Sequence, residues 1–334
     1  MTMHALVTRS YGPPEVVDWC SIADPIAGPQ QIVAEVHATT VNSADARLRA
    51  ARFPVGMGWM ARMALGWSRP RRTVFGVELG GTVVAVGEAV TRFSVGDRVL
   101  AMTGARMGAH AERCVLDVDH CVVHLPASIP FDAAVSLPFG GTTALTFLDD
   151  FAHLRTGERV LVVGASGAVG TACVQVASLL GAEVTGVCSA DNARLVRRLG
   201  ASTVIDYTTT CLSEVDGVWD VVIDTVGRMK IRDLARLASP QGRIGLVAAD
   251  LPAMATALAY RLARRQRALV GVARESPDHL ERLLTWLGEG RWQPVIDRRL
   301  PLALGRAAHT RVDSGRKVGS VVLLCSRGTD SSVA

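Results

Sequence analysis

Apolar positions follow two different rhythms along the chain. In the first third they alternate over short runs. Residues 31–41, "QIVAEVHATTV", alternate as a half-buried strand does, and "GGTVVAVG" (80–87) and "GDRVLAM" (96–102) are β-branched runs bounded by glycine. This predicts a compact β-rich unit over residues 1–127. From residue 128 the rhythm changes. "RVLVVG" (159–164) reads as a strand, "AVGTACVQVASLLG" (168–181) as a helix closed by Gly181, "AEVTGVC" (182–188) as a strand and "NARLVRRLG" (192–200) as a helix. "STVIDY", "WDVVIDTVG" and "GRIGLVA" add three strands, and "RALVGV" (267–272) is apolar enough to be the last. Strands alternating with helices predict a parallel, doubly wound α/β sheet over residues 128–272. After it, residues 276–290 read as a helix with proline near its start and 317–325 as a strand, while the final "GTDSSVA" reads as a disordered tail. Residues 53–72, "FPVGMGWMARMALGWSRPRR", fit neither rhythm. A helix there is apolar on most faces, and it reads equally as a packed surface insertion or as a mobile lid over an apolar substrate.

Composition narrows the class. A chain of 334 residues, 49% apolar and 20% charged, has the makings of two globular domains and lies far from the disordered class. Its seven cysteines are scattered and never spaced C-x-x-C, which argues against a disulfide framework and a structural zinc site. The N-terminus lacks an apolar core of signal-peptide length, and no uninterrupted apolar run approaches the roughly 20 residues that span a bilayer. A cytoplasmic protein is expected. The net charge of +5 is mild, and the basic clusters at 69–72 and 261–267 lack interleaved stacking aromatics, so they read as solvated faces and no nucleic acid is expected.

The sharpest chemistry lies in "VLVVGASGAVG" (160–170), a strand running into glycines at Gly164, Gly167 and Gly170 and then a helix. The first glycine permits the turn, the second lets a diphosphate reach backbone N–H groups, and the third lets helix and strand pack. Gly164, Ser166, Gly167, Ala168, Val169 and Gly170 are therefore candidate cofactor-binding residues. At the end of the next strand, where an acid would bind ribose hydroxyls, stands Cys188-Ser189-Ala190. The nearest acid, Asp191, reads as the N-cap of the following helix. Ser189 and Asn192 offer hydrogen bonds, Arg194 offers charge, and Tyr207 closes the pocket. The pattern favours NADP(H) over NAD(H).

With these pieces the chain resembles the medium-chain dehydrogenase/reductase superfamily over nearly its whole length, and within it the zinc-independent quinone oxidoreductase-like branch. The resemblance is carried by "TTVNSADARLR" (39–49), "VFGVELGGTVVAVGEAVTRFSVGDRV" (74–99), "GAHAE" (108–112), "SLPFGGTTAL" (136–145), the glycine turn, and "LGASTVIDY" (199–207). It implies a Rossmann cofactor domain over 128–272 and a GroES-like catalytic domain formed by 1–127 and 273–334. Zinc-dependent relatives take three ligands from positions that here are Asn42, Val77 and Phe139, a set unfit for a tetrahedral N/S site. No metal is expected.

The resemblance implies reduction of a small hydrophobic quinone or α,β-unsaturated carbonyl by NADPH. It points to Asn42 as the active-site polar group, with a turn cap as the competing role, and to Asp45 at a recurrent family position. Arg47 stands where many quinone oxidoreductases have a tyrosine, and it is either an electrostatic stabiliser or a solvated helix residue. Thr142, Thr143, Val226 and its neighbour Gly227, Gly242 and Gly245 fall where the family holds the nicotinamide end. Relatives are commonly homodimers joined through the last strand of the cofactor sheet, here "RALVGV". Two competing readings are an alcohol dehydrogenase with another proton relay and a non-catalytic NADPH-binding sensor or RNA- or protein-binding protein.

Overall fold

The computed structural model describes residues 1–53, 55–249, 251–263 and 266–325. The basic side chains at 261–265 and the C-terminal "GTDSSVA" lie outside what it describes.

Six strands form one wholly parallel sheet: Arg159–Val163, Glu183–Cys188, Ala201–Asp206, Trp219–Asp224, Ala238–Leu246 and Arg267–Val270. Taken in chain order they lie 3-2-1-4-5-6 across the sheet. The order reverses between the first and fourth strands, and a dinucleotide crevice opens at such a switch point. Both strands are covered on both faces, which explains their unbroken apolar runs: Val160, Leu161 and Val162 of one and Val221, Val222 and Ile223 of the other are fully buried. Helix Ala168–Leu179 follows the first strand and helix Ala190–Arg198 the second.

A seven-stranded sheet forms the β-rich part. Its path runs Ile296–Pro301, Ser320–Leu324, Gln31–Val41, Glu78–Val86, Arg98–Met102 and Cys121–His124, with Arg113–Asp117 also paired to Gln31–Val41. Two of these strands follow the parallel sheet in sequence, so the chain returns to the unit it started from. Thr2–Thr8 and Val17–Ala23 make a separate antiparallel pair. The alternation did not reveal strand Ile296–Pro301 or the helices Ile231–Leu237, Leu251–Ala263 and Gly305–Asp313.

One apolar core runs across both sheets. It joins Leu100, Met102, Cys121 and Val123 of the antiparallel sheet to Val160 and Val174 of the cofactor side. Helices Pro138–Leu145 and Pro277–Gly288 supply the junction, packed so closely that a Cβ on Gly141 would lie 2.6 Å from Leu283 Cδ1. The two parts also meet at the glycine turn, where the Gly319 N–H donates to Ser166 O at 2.9 Å. Among the described residues of 53–72 only Gly58–Leu65 is helical; none of its residues is fully buried, and Ala61, Arg62 and Leu65 are half-buried.

Candidate active site

The three glycines of the turn do three different jobs. Gly164 has φ +80°, and a Cβ there would lie 2.5 Å from Val226 Cγ2 and 2.7 Å from Thr225 Oγ1. Gly170 lies against the turn itself, a Cβ falling 2.0 Å from Gly164 O. Around Gly167 the space is open, the nearest atom being Gly164 O at 3.6 Å. Gly167 is the N-cap of helix Ala168–Leu179, and no side chain caps that terminus. The first-turn N–H groups of Ala168, Val169 and Gly170 therefore lack helical partners and face the gap with the positive end of the helix dipole. The cradle fits a diphosphate.

Beside it, three polar side chains from two strand ends meet. Asn192 Nδ2 donates to Ser189 Oγ at 3.1 Å and to Ser166 Oγ at 3.4 Å. The N-cap of helix Ala190–Arg198 is Ser189, whereas Asp191 lies exposed in the first turn; the reading of Asp191 as the cap is corrected. Arg194 is exposed, and among the described residues it forms no ion pair. Tyr207 follows the third strand, its N–H 3.3 Å from Cys188 O and its side chain exposed.

On the catalytic side Asn42 and Asp45 form a reciprocal capping box at helix Ser43–Arg49. Asn42 Oδ1 accepts from the N–H groups of Ala44 (2.9 Å) and Asp45 (3.1 Å), and Asp45 Oδ2 accepts from Asn42 N–H (2.9 Å). The cap leaves half of the Asn42 amide over. Its Nδ2 is buried, in a residue only 3% exposed, and makes no hydrogen bond of ordinary geometry, with the Glu78 carboxyl as its polar neighbour. Such a donor costs free energy unless a ligand satisfies it. Asp45 is buried, 3.9 Å from His110 Nε2, and burial pushes its carboxyl up. Its place is structural rather than in contact with a ligand. Arg47 points to solvent on the same helix.

Two ionisable groups at this place escaped the sequence reading. Glu78 is buried, accepting from the Thr40 hydroxyl and from Phe139 N–H at 2.8 Å. Burial pushes its carboxyl up to about 7, with the Asp45 charge adding and the bonds from Thr40, Phe139 and Asn42 opposing. Lys317, whose Nζ donates to Gly319 O at 2.7 Å, stands between this carboxyl and the glycine turn. Burial pushes its ammonium down to about 8, with Asp297 and Glu78 opposing. A lone acid inside the apolar run "FGVELGG" was a usable signal for Glu78. Lys317, in a polar loop, gave none.

Other expected contacts need correction. Thr142 is fully buried, its hydroxyl donating back to Pro138 O at 2.7 Å, and it presents no surface to a cofactor. Thr143 sits one residue on, 5% exposed, with its hydroxyl bonded to Phe139 O at 2.6 Å. Gly245 is a packing position inside the sheet, a Cβ falling 2.5 Å from Ile223 Cδ1. Gly242 precedes Arg243, which pairs through Val221 with Val160, so it lies at the edge opposite the glycine turn. The strand's other end delivers Ala248 to Gly227 instead, 3.0 Å from where its Cβ would be. Val226 and Gly227 are held at the turn by the Asp224 carboxylate, which accepts both N–H groups at 2.8 and 3.0 Å.

The three positions that carry zinc ligands in metal-dependent relatives do converge here, since Glu78, next to Val77, is bonded to Phe139 N–H and neighbours the Asn42 amide. They bring together an amide, an isopropyl and a phenyl group. Among the described residues no three His, Cys, Asp or Glu side chains gather as a metal ion needs.

Comparison with known proteins agrees with this geometry. The alcohol dehydrogenase GroES-like domain family matches residues 28–130, and the zinc-binding dehydrogenase family matches residues 199–323. A quinone oxidoreductase of Pseudomonas aeruginosa is 31% identical over 331 residues, covering 94% of this chain and 97% of the relative. The solved quinone oxidoreductase of Coxiella burnetii superposes with a TM-score of 0.88 at 25% identity, covering 98% of this chain and all of the other. A solved NAD-dependent alcohol dehydrogenase superposes with a TM-score of 0.83 at 26% identity, covering 97% of this chain and all of the other. With a Rossmann sheet, a GroES-like unit and no zinc ligands at the shared positions, the chain belongs to the quinone oxidoreductase-like branch of the medium-chain dehydrogenase/reductase superfamily and is an NAD(P)H-dependent oxidoreductase.

Proposed function

We propose that the chain reduces a small hydrophobic quinone or α,β-unsaturated carbonyl with NADPH, by direct hydride transfer and without a metal. The reading rests on one observation above all. Where relatives place a Lewis acid, this chain buries an amide donor, Asn42 Nδ2, that borders the Glu78 carboxyl and makes no hydrogen bond of ordinary geometry. An amide suits an acceptor that is already polarised, because it can stabilise charge on the acceptor oxygen without activating an alcohol. The relatives named as quinone oxidoreductases support the same acceptor class.

Each remaining group has a role on this reading. The N–H groups of Ala168, Val169 and Gly170 hold the diphosphate. Ser166, Ser189 and Asn192 hold the ribose, and Arg194 supplies positive charge for a 2′-phosphate. When bound, NADPH supplies the hydride. Arg47, exposed in the last turn of the same helix as Asp45, adds long-range positive potential. The working units are a catalytic domain of residues 1–127 and 273–334 and a cofactor domain of 128–272, in a cytoplasmic homodimer paired through the edge strand Arg267–Val270.

Fluorescence titration of metal-free protein with NADPH and NADH tests the cofactor assignment. NADPH is expected to bind more than about tenfold tighter, or roughly 1.4 kcal/mol. NADH binding as tight as NADPH overturns the 2′-phosphate pocket. Absence of quinone- or enone-dependent NADPH oxidation overturns the acceptor class.

A further inference from the structure

Between Asp45 and Glu78 the chain contains seven arginines and no acidic residue. The middle of this stretch is the helix Gly58–Leu65, "GWMARMAL". Trp59 and Met63 lie one turn apart on it, 58% and 57% exposed, and Trp67 continues the row at 64%. Met60 and Val55 are exposed beside them. Large apolar side chains rarely stand out together in this way unless something covers them.

The arginines are fixed to the same patch. After the helix Gly66 turns at φ +123°, and the Arg71 N–H donates back to Leu65 O at 2.8 Å. This places Arg69, Arg71 and Arg72 beside the helix C-terminus. All three are exposed, and among the described residues none forms an ion pair. Arg62 braces the patch from below, donating to Trp67 O at 2.7 Å and lying 5.7 Å from the Tyr11 ring centroid. The patch is also tied to the helix Leu251–Ala263 of the cofactor side, where the Leu251 N–H donates to Val55 O at 3.2 Å.

From this arrangement we propose that the helix Gly58–Leu65 and the arginines following it form a docking surface for an anionic membrane. Indole and thioether groups suit the boundary between headgroups and acyl chains, and guanidinium groups suit the phosphates around it. No helix among the described residues is long and apolar enough to cross a membrane, so the contact is peripheral. The inference stands on this surface alone and is independent of the acceptor.

Co-sedimentation of the full chain with vesicles tests it, using phosphatidylcholine alone and phosphatidylcholine mixed with phosphatidylglycerol. Binding is expected to the mixed vesicles, to fall with salt, and to bring quenching of tryptophan fluorescence by brominated acyl chains. R69Q and R72Q are each expected to weaken it about fivefold, and W67S together with M63S to abolish the quenching. These variants are expected to keep NADPH affinity, which separates a failed docking surface from a failed enzyme assignment. No binding to anionic vesicles overturns the proposal. So does binding that all four substitutions leave unchanged, or stable capture by a soluble acidic polypeptide with no vesicle binding.

Discussion

The glycine turn allows a test that separates cofactor contact from folding. Gly167→Ala and Gly170→Ala add the same methyl group three residues apart. At Gly170 the new Cβ would lie 2.0 Å from Gly164 O and 2.8 Å from Ala165 Cα, both backbone atoms that can move only with the strand or the helix. That overlap is expected to cost about 1–3 kcal/mol of stability whether or not cofactor is present. At Gly167 the backbone is extended, with φ −74° and ψ 172°, and the nearest atom to the new methyl is 3.6 Å away. Alanine fits there without strain. The gain of about 0.4–1 kcal/mol from restricting the unfolded chain is offset by a comparable loss, because alanine is a poorer N-cap than glycine. Stability is therefore expected to be roughly unchanged.

The open space at Gly167 is the gap in front of the helix N–H groups, so the methyl occupies the diphosphate's place. If the same overlap of about 1–3 kcal/mol falls on the ligand, affinity drops about 5- to 150-fold. The assay pairs denaturation of the cofactor-free protein with fluorescence titration by NADPH. The expected outcome for Gly167→Ala is roughly unchanged stability with weakened binding; for Gly170→Ala it is lowered stability. Wild-type NADPH affinity in Gly167→Ala would refute the close backbone approach, whatever the fate of Gly170→Ala.

Two further substitutions address the catalytic side. Asn42→Ser keeps a capping oxygen for the Ala44 and Asp45 N–H groups but removes Nδ2, so stability should hold to within about 1 kcal/mol while turnover falls on the order of 100-fold; steady-state kinetics beside a melting curve checks this. Glu78→Gln mimics the protonated acid, its amide donating to Thr40 and accepting from Phe139. Because the Glu78 carboxyl rises from 4.5 to about 7 on folding, the unfolded chain ionises first and the wild type loses stability as pH climbs through that window, by about 3 kcal/mol at most. Urea denaturation of both proteins at several pH values should show the variant gaining on the wild type up to neutral pH and running parallel beyond it.

The parts legible in the sequence were those where backbone geometry leaves little choice. A strand, a glycine turn and a helix can be read because Gly164 needs its positive φ and Gly170 needs its missing Cβ. The proximity of Ser189 and Asn192 was legible too, since they lie three apart across a helix start. The errors share a different cause. Thr142 and Gly245 carry residue types that suit a ligand, yet Thr142 is fully buried with its hydroxyl turned back on Pro138 O one turn earlier in its helix, and Gly245 is packed against Ile223 of the neighbouring strand. Gly242 was misplaced because strand Ala238–Leu246 begins earlier than its apolar run and ends at Leu246, so the glycine falls near the wrong edge. Lys317 and Glu78 come from strands far apart in the chain that meet only when the C-terminal segment returns to the first sheet.

That returning segment also decides what the metal-free site can do. A zinc ion would place a fixed positive charge among Asn42, Val77 and Phe139. Without it the ionisable groups around the site are Asp45, bonded to the Asn42 N–H, Glu78 and Lys317, and all three are pushed toward neutrality by burial. A neutral Glu78 leaves the Asn42 donor as the dominant dipole, and negative charge can build on an acceptor oxygen beside it at little cost. An ionised Glu78 puts a carboxylate in the same low-dielectric space, where repulsion between like charges is strong. The Thr40 hydroxyl and the Phe139 N–H hold that carboxyl beside the Asn42 amide, and Lys317 answers it with positive charge while still protonated. On the proposed reading the pair therefore stands in for the missing ion: Glu78 supplies polarity without charge near neutral pH, and Lys317 limits the damage once the proton leaves.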